Sequence, residues 1–385
     1  MKLIPAIKDY IWGGSKLKSL YSKKSNTDTI AESWEFSVHS DGITRTEDGT
    51  PLTRFLNAKK LGNYNGDQPQ IMIKLIDAQD NLSVQVHPND HYAHQFDDNG
   101  KREMWYIVDS EPNAGIYCGL KNAITQQQLQ NALQQGTILD LLNFFPVKKG
   151  DCFFIEAGTI HAIGKGVTIY ELQQSSNLTY RLYDYNRLGA DGKPRQLHID
   201  NALSVATLDA YNVIDRTPYL QDQPQRAVQW LGGCKEFTAA LLTVQDAYPF
   251  KTDSNSFAVL TVVEGNLDAA TKLQHKTTLK LGQSYFVPAL ESVELKGNAK
   301  VIVATVAKYG LRTHNKDKQI QTTLNAEGFV IGIHSAPQKT SLADYTAQIK
   351  NFLKAYNLQT TDISIIQADT DPTSKKLAEH LLTII

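Results

Sequence analysis

Cysteine is scarce here: Cys118, Cys152 and Cys234 are the only three in 385 residues. They are too few and too irregularly spaced for a disulfide framework or a cysteine-ligated zinc. Long apolar runs are missing too. No window approaches the ~20 apolar residues of a membrane span, and Met1-Lys2-Leu3-Ile4-Pro5 begins no hydrophobic leader. Nor is there a basic run. Lys and Arg number 39 against 40 Asp and Glu, a formal charge of −1, so no nucleic-acid surface is suggested. These absences leave a chain expected in a reducing, cytoplasmic setting, long enough for two or three domains.

What is present is strand signal. Ile71-Met72-Ile73-Lys74-Leu75-Ile76, Leu82 to Val86, Trp105 to Val108 and Cys152 to Ile155 are short, apolar and bounded by turn formers. Residues 125 to 145 interrupt them. Leu129, Leu133, Leu139 and Leu142 keep helical spacing with a break at Gly136, which predicts a helical insert beside a mainly antiparallel sheet. Residues 197 to 212 read as another helix. A second strand-rich block runs from Phe237 to Ala307 and echoes the first. Gly150, Glu156-Ala157-Gly158 and His161 lie over Gly282, Pro288-Ala289-Leu290 and Val293, so the second copy lacks the histidine. Such a repeat suggests two related barrels, one of them carrying chemistry. Residues 308 to 325 are polar and read as a linker. Beyond them, strands at 329 to 333 and 363 to 366 and helices at 342 to 356 and 374 to 382 predict a small β-α-β-α unit.

The chemistry concentrates in two segments, Leu82-Ser83-Val84-Gln85-Val86-His87-Pro88-Asn89-Asp90 and Gly158-Thr159-Ile160-His161-Ala162-Ile163-Gly164-Lys165-Gly166, with Lys101-Arg102-Glu103-Met104-Trp105 between them. In a strand, residues two apart share a face, so Gln85 and His87 project together. Gly158 and Gly164 bracket His161 as in a turn that brings a strand end close to a bound ion. Glu103 opens an apolar strand, where an unpaired buried charge would cost several kcal/mol. A metal held by Gln85, His87, Glu103 and His161 answers all four placements. Nitrogen and oxygen donors with a position left open suit a catalytic zinc, although iron or manganese would accept them. His39, His91, His94, His275 and His380 read as ordinary polar histidines.

These motifs, together with Ile11-Trp12-Gly13-Gly14 and Thr179-Tyr180-Arg181-Leu182-Tyr183-Asp184-Tyr185, occur in this order in the type I mannose-6-phosphate isomerases. The chain resembles their short bacterial form over roughly residues 1 to 307. That resemblance implies a mainly β fold of two cupin barrels. Residues 1–235 would be the catalytic cupin with its helical insert, residues 236–310 a second, metal-free cupin, and residues 311–385 the linker and small α/β unit. It implies one zinc per chain on Gln85, His87, Glu103 and His161, Lys101 beside the metal, Glu171 on a nearby strand and Arg181 in the active site. Glu156 departs from the pattern, standing where cupins usually have proline.

The implied reaction interconverts mannose 6-phosphate and fructose 6-phosphate by moving a proton between C1 and C2 through a cis-enediol. Zinc would polarise the oxygens. Glu171 and Lys101 are the candidate bases, with Glu171 preferred and His161 or a zinc-bound water left open. Arg181 is the leading cation for the phosphate or the enediolate, ahead of Lys74 and Lys165. Its competing role is a salt bridge with Asp184. Trp12 is read as a pocket wall. The alternative function is a non-catalytic phosphosugar-sensing cupin, and an iron-dependent cupin oxygenase is disfavoured by Gln85 and the ligand spacing. The expected partner is a small sugar phosphate, with no nucleic acid and no membrane.

Overall fold

The strand Ile71–Ala78 is buried at every position, and so is Val167–Gln174, beside which it pairs. Strands buried on both faces read as continuous apolar runs, and the sheet they belong to has another layer on each side. The computed structural model describes residues 1–62, 68–189, 192–211, 214–215, 228–234, 236–252, 254, 256–271 and 275–306. Beyond these it describes four strands, Leu311–Arg312, Ile320–Asn325, Gly328–Ile333 and Ile363–Ala368. The architecture is mainly β.

The central sheet has seven antiparallel strands in the order Ile214–Asp215, Cys152–Ile155, Glu103–Ser110, Val167–Gln174, Ile71–Ala78, Glu32–Phe36 and Ala6–Lys8. A five-stranded antiparallel sheet covers one face, ordered Tyr180–Tyr183, Val84–Val86, His161–Ile163, Gly115–Leu120 and Leu142–Pro146. A third sheet, of seven strands drawn from residues 228 to 305, covers the other. Alternation along each central strand sorts its side chains. Ile73, Leu75, Met104 and Leu172 join Phe237, Leu241, Val259 and Phe286 of the third sheet in one core. Trp105, Ile107, Ile169 and Ile76 join Ile116 and Ile163 of the five-stranded sheet in another. Each large apolar side chain so buried contributes about 1.5–3 kcal/mol.

A buried ion pair fastens the central sheet to the third. Lys23 Nζ lies 2.6 Å from Glu35 Oε1 and donates to the Gly282 carbonyl at 2.6 Å. The Ser33 and Ser284 hydroxyls donate to the same carboxylate at 2.6 and 3.1 Å.

The internal echo recurs in the backbone. Gly150 and Gly282 both take positive φ, and so do Gly158 and its counterpart Leu290, at 88° and 62°. Gly150 N donates to Ile107 O and Gly282 N to Val262 O, each at 2.8 Å. Lys148 N is received by the Asp151 carboxylate, and Lys280 N by the Gln283 amide oxygen. Leu290 takes a left-handed backbone that suits glycine better, the state that Gly158 holds in the first segment.

Three expectations need correction. The helical insert is shorter than predicted. Thr125 caps Gln126–Gln135 with a capping box, Gly136 ends it at φ 69°, and a turn of helix at Ile138–Leu141 follows. Residues 142–146 are then a strand, because Asn143-Phe144-Phe145 pairs with Gly115–Leu120. The predicted 197–212 helix covers only Ile199–Val205, since Thr207 and Tyr211 donate their backbone N–H groups to Gly158 and Leu120. The predicted linker contains the strands Leu311–Arg312 and Ile320–Asn325, which join Gly328–Ile333 and Ile363–Ala368 in a four-stranded sheet with a parallel last pair. The helices predicted at 342–356 and 374–382 lie outside the described residues.

Removing one partner of the buried pair strands the other. Lys23→Met is expected to cost about 3–5 kcal/mol of stability, and Lys23→Met with Glu35→Gln to recover much of it, read as urea midpoints. A single variant as stable as the parent would show that the pair fastens nothing.

Candidate active site

Register assembles the site. His161, Gln85 and Arg181 lie opposite one another across three neighbouring strands, Gln85 pairing with both of the others. Facing them, the central sheet sets Trp105, Glu171, Lys74 and Trp34 in a second row. Glu103 lies two residues before Trp105 and shares its face. His87 follows Gln85 by two at the end of Val84–Val86. All four predicted ligands are brought together.

The imidazoles are oriented by backbone carbonyls. His87 Nδ1–H donates to Leu178 O at 2.8 Å and His161 Nδ1–H to Thr159 O at 2.9 Å. A carbonyl can only accept, so each ring keeps the Nε2 lone pair for the interior. His87 Nε2 is 3.3 Å from Glu103 Oε1, and His161 Nε2 is 3.7 Å from Glu103 Oε2 and 3.4 Å from Gln85 Nε2. Ligands about 2.1 Å from a tetrahedral zinc stand roughly 3.4 Å apart, which these separations approach. Glu103 Oε2 is buried without a hydrogen-bond donor among the described residues. A cation would satisfy it. The His87, Glu103 and His161 donor atoms all lie within 4.8 Å of one another.

The electrostatics suit ligation. Burial alone would raise Glu103, but Lys101 and then His87 outweigh it and hold the carboxyl well below its usual range. Burial and the Lys101 charge push His87 down to about 3, and burial lowers His161. Neutral imidazoles around an ionised carboxylate are the protonation state a metal requires. Lys101 Nζ contacts Glu103 Oε1 and lies 3.0 Å from His87 Nε2.

A cavity of about 240 Å³ opens beside this cluster, with Gln85, Lys101, Glu171, Lys74 and Arg181 on its wall. Glu171 receives Trp105 Nε1–H at 2.9 Å and faces Lys74 Nζ at 3.5 Å. Burial, then the Glu103 charge, push its carboxyl up. Arg181 donates to Ser83 Oγ and Gln196 O. Its expected rival partner, Asp184, is instead held by Arg187 and Arg195.

Trp12 does line the cavity. A Cβ on Gly14 would stand 2.2 Å from Asp77 Oδ2, and Asp77 receives the backbone N–H of Lys16, so this segment is pinned to the central sheet. Lys165 is exposed and absent from the cavity lining. Gly158 and Gly164 are required by close packing: added Cβ atoms would meet Thr207 Oγ1 at 2.7 Å and Gly115 O at 2.3 Å. Glu156 pairs with Arg102 at 2.7 Å, which also holds Glu236. Sequence reasoning missed Glu32, Tyr10 and Arg195 in the lining. Glu32 was within reach, as the residue two before Trp34; Arg195 sits in a coil with no periodicity to mark it.

Fold and site define an enzyme of mainly β class with a buried His-Glu-His group competent to hold a metal ion. A profile of the type I phosphomannose isomerase catalytic domain matches residues 1–121. The mannose-6-phosphate isomerase ManA of Bacillus subtilis is 32% identical over 310 residues, covering 78% of this chain and 96% of its own. A Streptococcus mutans mannose-6-phosphate isomerase is 37% identical over 205 residues, 51% of this chain and 65% of its own. The crystal structure of the Bacillus subtilis mannose 6-phosphate isomerase superposes with a TM-score of 0.70 at 28% identity, covering 79% of this chain and 98% of that one. The chain belongs to the type I mannose-6-phosphate isomerase family.

The buried imidazoles set an acid limit. An unfolded histidine titrates near 6.5 and folded His87 near 3. Between those values the unfolded chain binds a proton that the folded chain does not, so acidification favours unfolding. Metal-free protein is expected to lose about 1.4 kcal/mol per pH unit from His87 as pH falls through that window. His87→Asn should flatten the slope in urea titrations across it; an unchanged slope would exclude His87 as a source.

Proposed function

We propose that this chain is a zinc-dependent aldose–ketose isomerase that interconverts mannose 6-phosphate and fructose 6-phosphate. The observation that carries this reading is a metal-competent cluster beside a cavity whose wall holds a separate buried carboxylate, Glu171. Gln85, His87, Glu103 and His161 would hold the metal, Gln85 by a half-turn of its amide that exchanges oxygen for nitrogen. A zinc ion bound there would polarise the substrate's carbonyl and hydroxyl oxygens.

Glu171 is the base. Trp105 N–H and Lys74 fix its carboxylate, and burial raises its basicity toward the useful range. It takes the C2 proton of the open-chain aldose and returns it to C1 on the same face of the cis-enediol. Lys101 is engaged with Glu103 and His87, where it steadies the ligand carboxylate. Arg181, in the row of Gln85 and His161, faces the oxygen that gains charge. A phosphosugar sensor would have no use for a carboxylate held in this way.

The backbone repeat at Gly150 and Gly282 supports reading residues 1–235 and 236–310 as two cupin barrels, the second without metal. Among the described residues no helix is long and apolar enough to cross a membrane, and the three cysteines are free, which supports a cytoplasmic enzyme.

Purified protein should convert mannose 6-phosphate to fructose 6-phosphate, lose the activity on chelation and regain it with zinc. Glu103→Gln or His161→Ala should lose bound metal and activity together in a folded chain. Glu171→Gln should keep its metal and lose about 10²–10⁴ in kcat. Full activity of Glu171→Gln would sink its assignment as base, and no activity in zinc-loaded parent would sink the isomerase reading.

A further inference from the structure

The cations of the cavity are differently committed. Lys74 is flanked by Glu32 at 3.7 Å and Glu171 at 3.5 Å, and Lys101 by Glu103. Neither is available to a substrate dianion. Arg195, also on the cavity wall, is held by Asp184, which receives its Nε at 2.7 Å and its Nη2 at 2.5 Å. That bidentate clasp fixes the guanidinium plane and leaves Nη1 as a free donor among the described residues. The same buried carboxylate also takes Arg187 Nη2 at 2.6 Å. Arg187 also reaches Asp80 at 3.4 Å, and Arg181 interacts with both guanidiniums, so three cations meet two carboxylates and positive charge is in excess here.

We propose that Arg195 is the phosphate-binding residue of this site and that Asp184 is the positioning residue that aims it. The proposal rests on the sugar-phosphate reading above. Arg195 and Arg181 feel each other's charge, but different elements carry them, and that decides which part of the substrate each would meet. Arg181 lies in the strand row of Gln85 and His161, at the end where C1 and C2 react. The phosphate sits on C6, a full carbon chain away from that row. Arg195 leaves the coil that follows the Tyr180–Tyr183 strand and belongs to no row of either sheet. A planar fork suits a phosphate better than the point charge of a lysine.

The test uses the full zinc-loaded chain and inorganic phosphate as the probe. In the parent, phosphate should bind in calorimetry and inhibit competitively. Arg195→Ala should raise KM for mannose 6-phosphate about tenfold or more with kcat within about threefold, and weaken phosphate binding in parallel. Arg195→Lys should fall between. Asp184→Asn should show a milder form of the same KM-against-kcat split, which a purely structural role would not produce. If Arg195→Ala does not fold, Arg195→Gln decides in its place.

Phosphate bound equally well with and without Arg195, or no phosphate binding by the parent, overturns the proposal. So does a fall in kcat with KM unchanged. A parent inactive on mannose 6-phosphate that still binds phosphate through Arg195 would strike the isomerase reading and leave this one standing.

Discussion

Everything at this site depends on one buried carboxylate that has too few hydrogen-bond donors. Glu103 begins a central strand, is wholly buried and presents Oε1 to His87 Nε2 and Oε2 to His161 Nε2, ring nitrogens that carry lone pairs. Among these groups only Lys101 offers protons, and it reaches Oε1. Acceptors facing acceptors in a dry interior are costly unless a cation stands among them. The fold pays for that arrangement with the carbonyls of Leu178 and Thr159, which fix both tautomers, and with the apolar layers on either side.

Those layers explain why the polar row is rigid. The central sheet is buried on both faces, so its strands cannot slip by one residue without exchanging an apolar face for a charged one. Glu171 and Lys74 are therefore held in register by Ile73, Leu75 and Leu172 on the opposite face, which pack against the third sheet. The third sheet supplies no residue of the metal-competent cluster, yet it keeps the catalytic row in place. It repeats the Gly150 turn at Gly282, with Leu290 in the backbone state of Gly158.

Much of this was legible in the letters, for reasons that differ by element. The four clustered donors stood out because each broke an apolar or glycine-framed strand, and a polar residue at such a place needs a partner. The central strands were legible as unbroken apolar runs, and the first helix by its leucine spacing and Gly136. The error at residues 142–146 came from Leu139 and Leu142, whose helical spacing continued past the true end of the helix; pairing of Phe144 and Phe145 with the neighbouring strand overrode it. Gly158 and Gly164 were rightly singled out, but the requirement comes from neighbouring backbone and side chains that no local pattern contains. Arg195 was invisible for the same reason: only the tertiary position of Asp184 gives it a direction.

The distribution of charge along the cavity follows from these placements and gives it a polarity. Beside the His-Glu-His group, Glu32, Glu103 and Glu171 face two ammonium groups, Lys74 and Lys101, so negative charge is in excess. Around Asp184 the guanidiniums of Arg187, Arg195 and Arg181 meet two carboxylates, Asp184 and Asp80, so positive charge is in excess. A dication belongs at the first place and a phosphate dianion at the second. A sugar phosphate that entered reversed would set its dianion against three carboxylates in a water-poor space, where like charges repel strongly. With Glu171 as the proposed base, the orientation that brings C1 and C2 to it would be selected by the same buried charges that suit the His-Glu-His group to a metal, before any contact with the sugar hydroxyls is made.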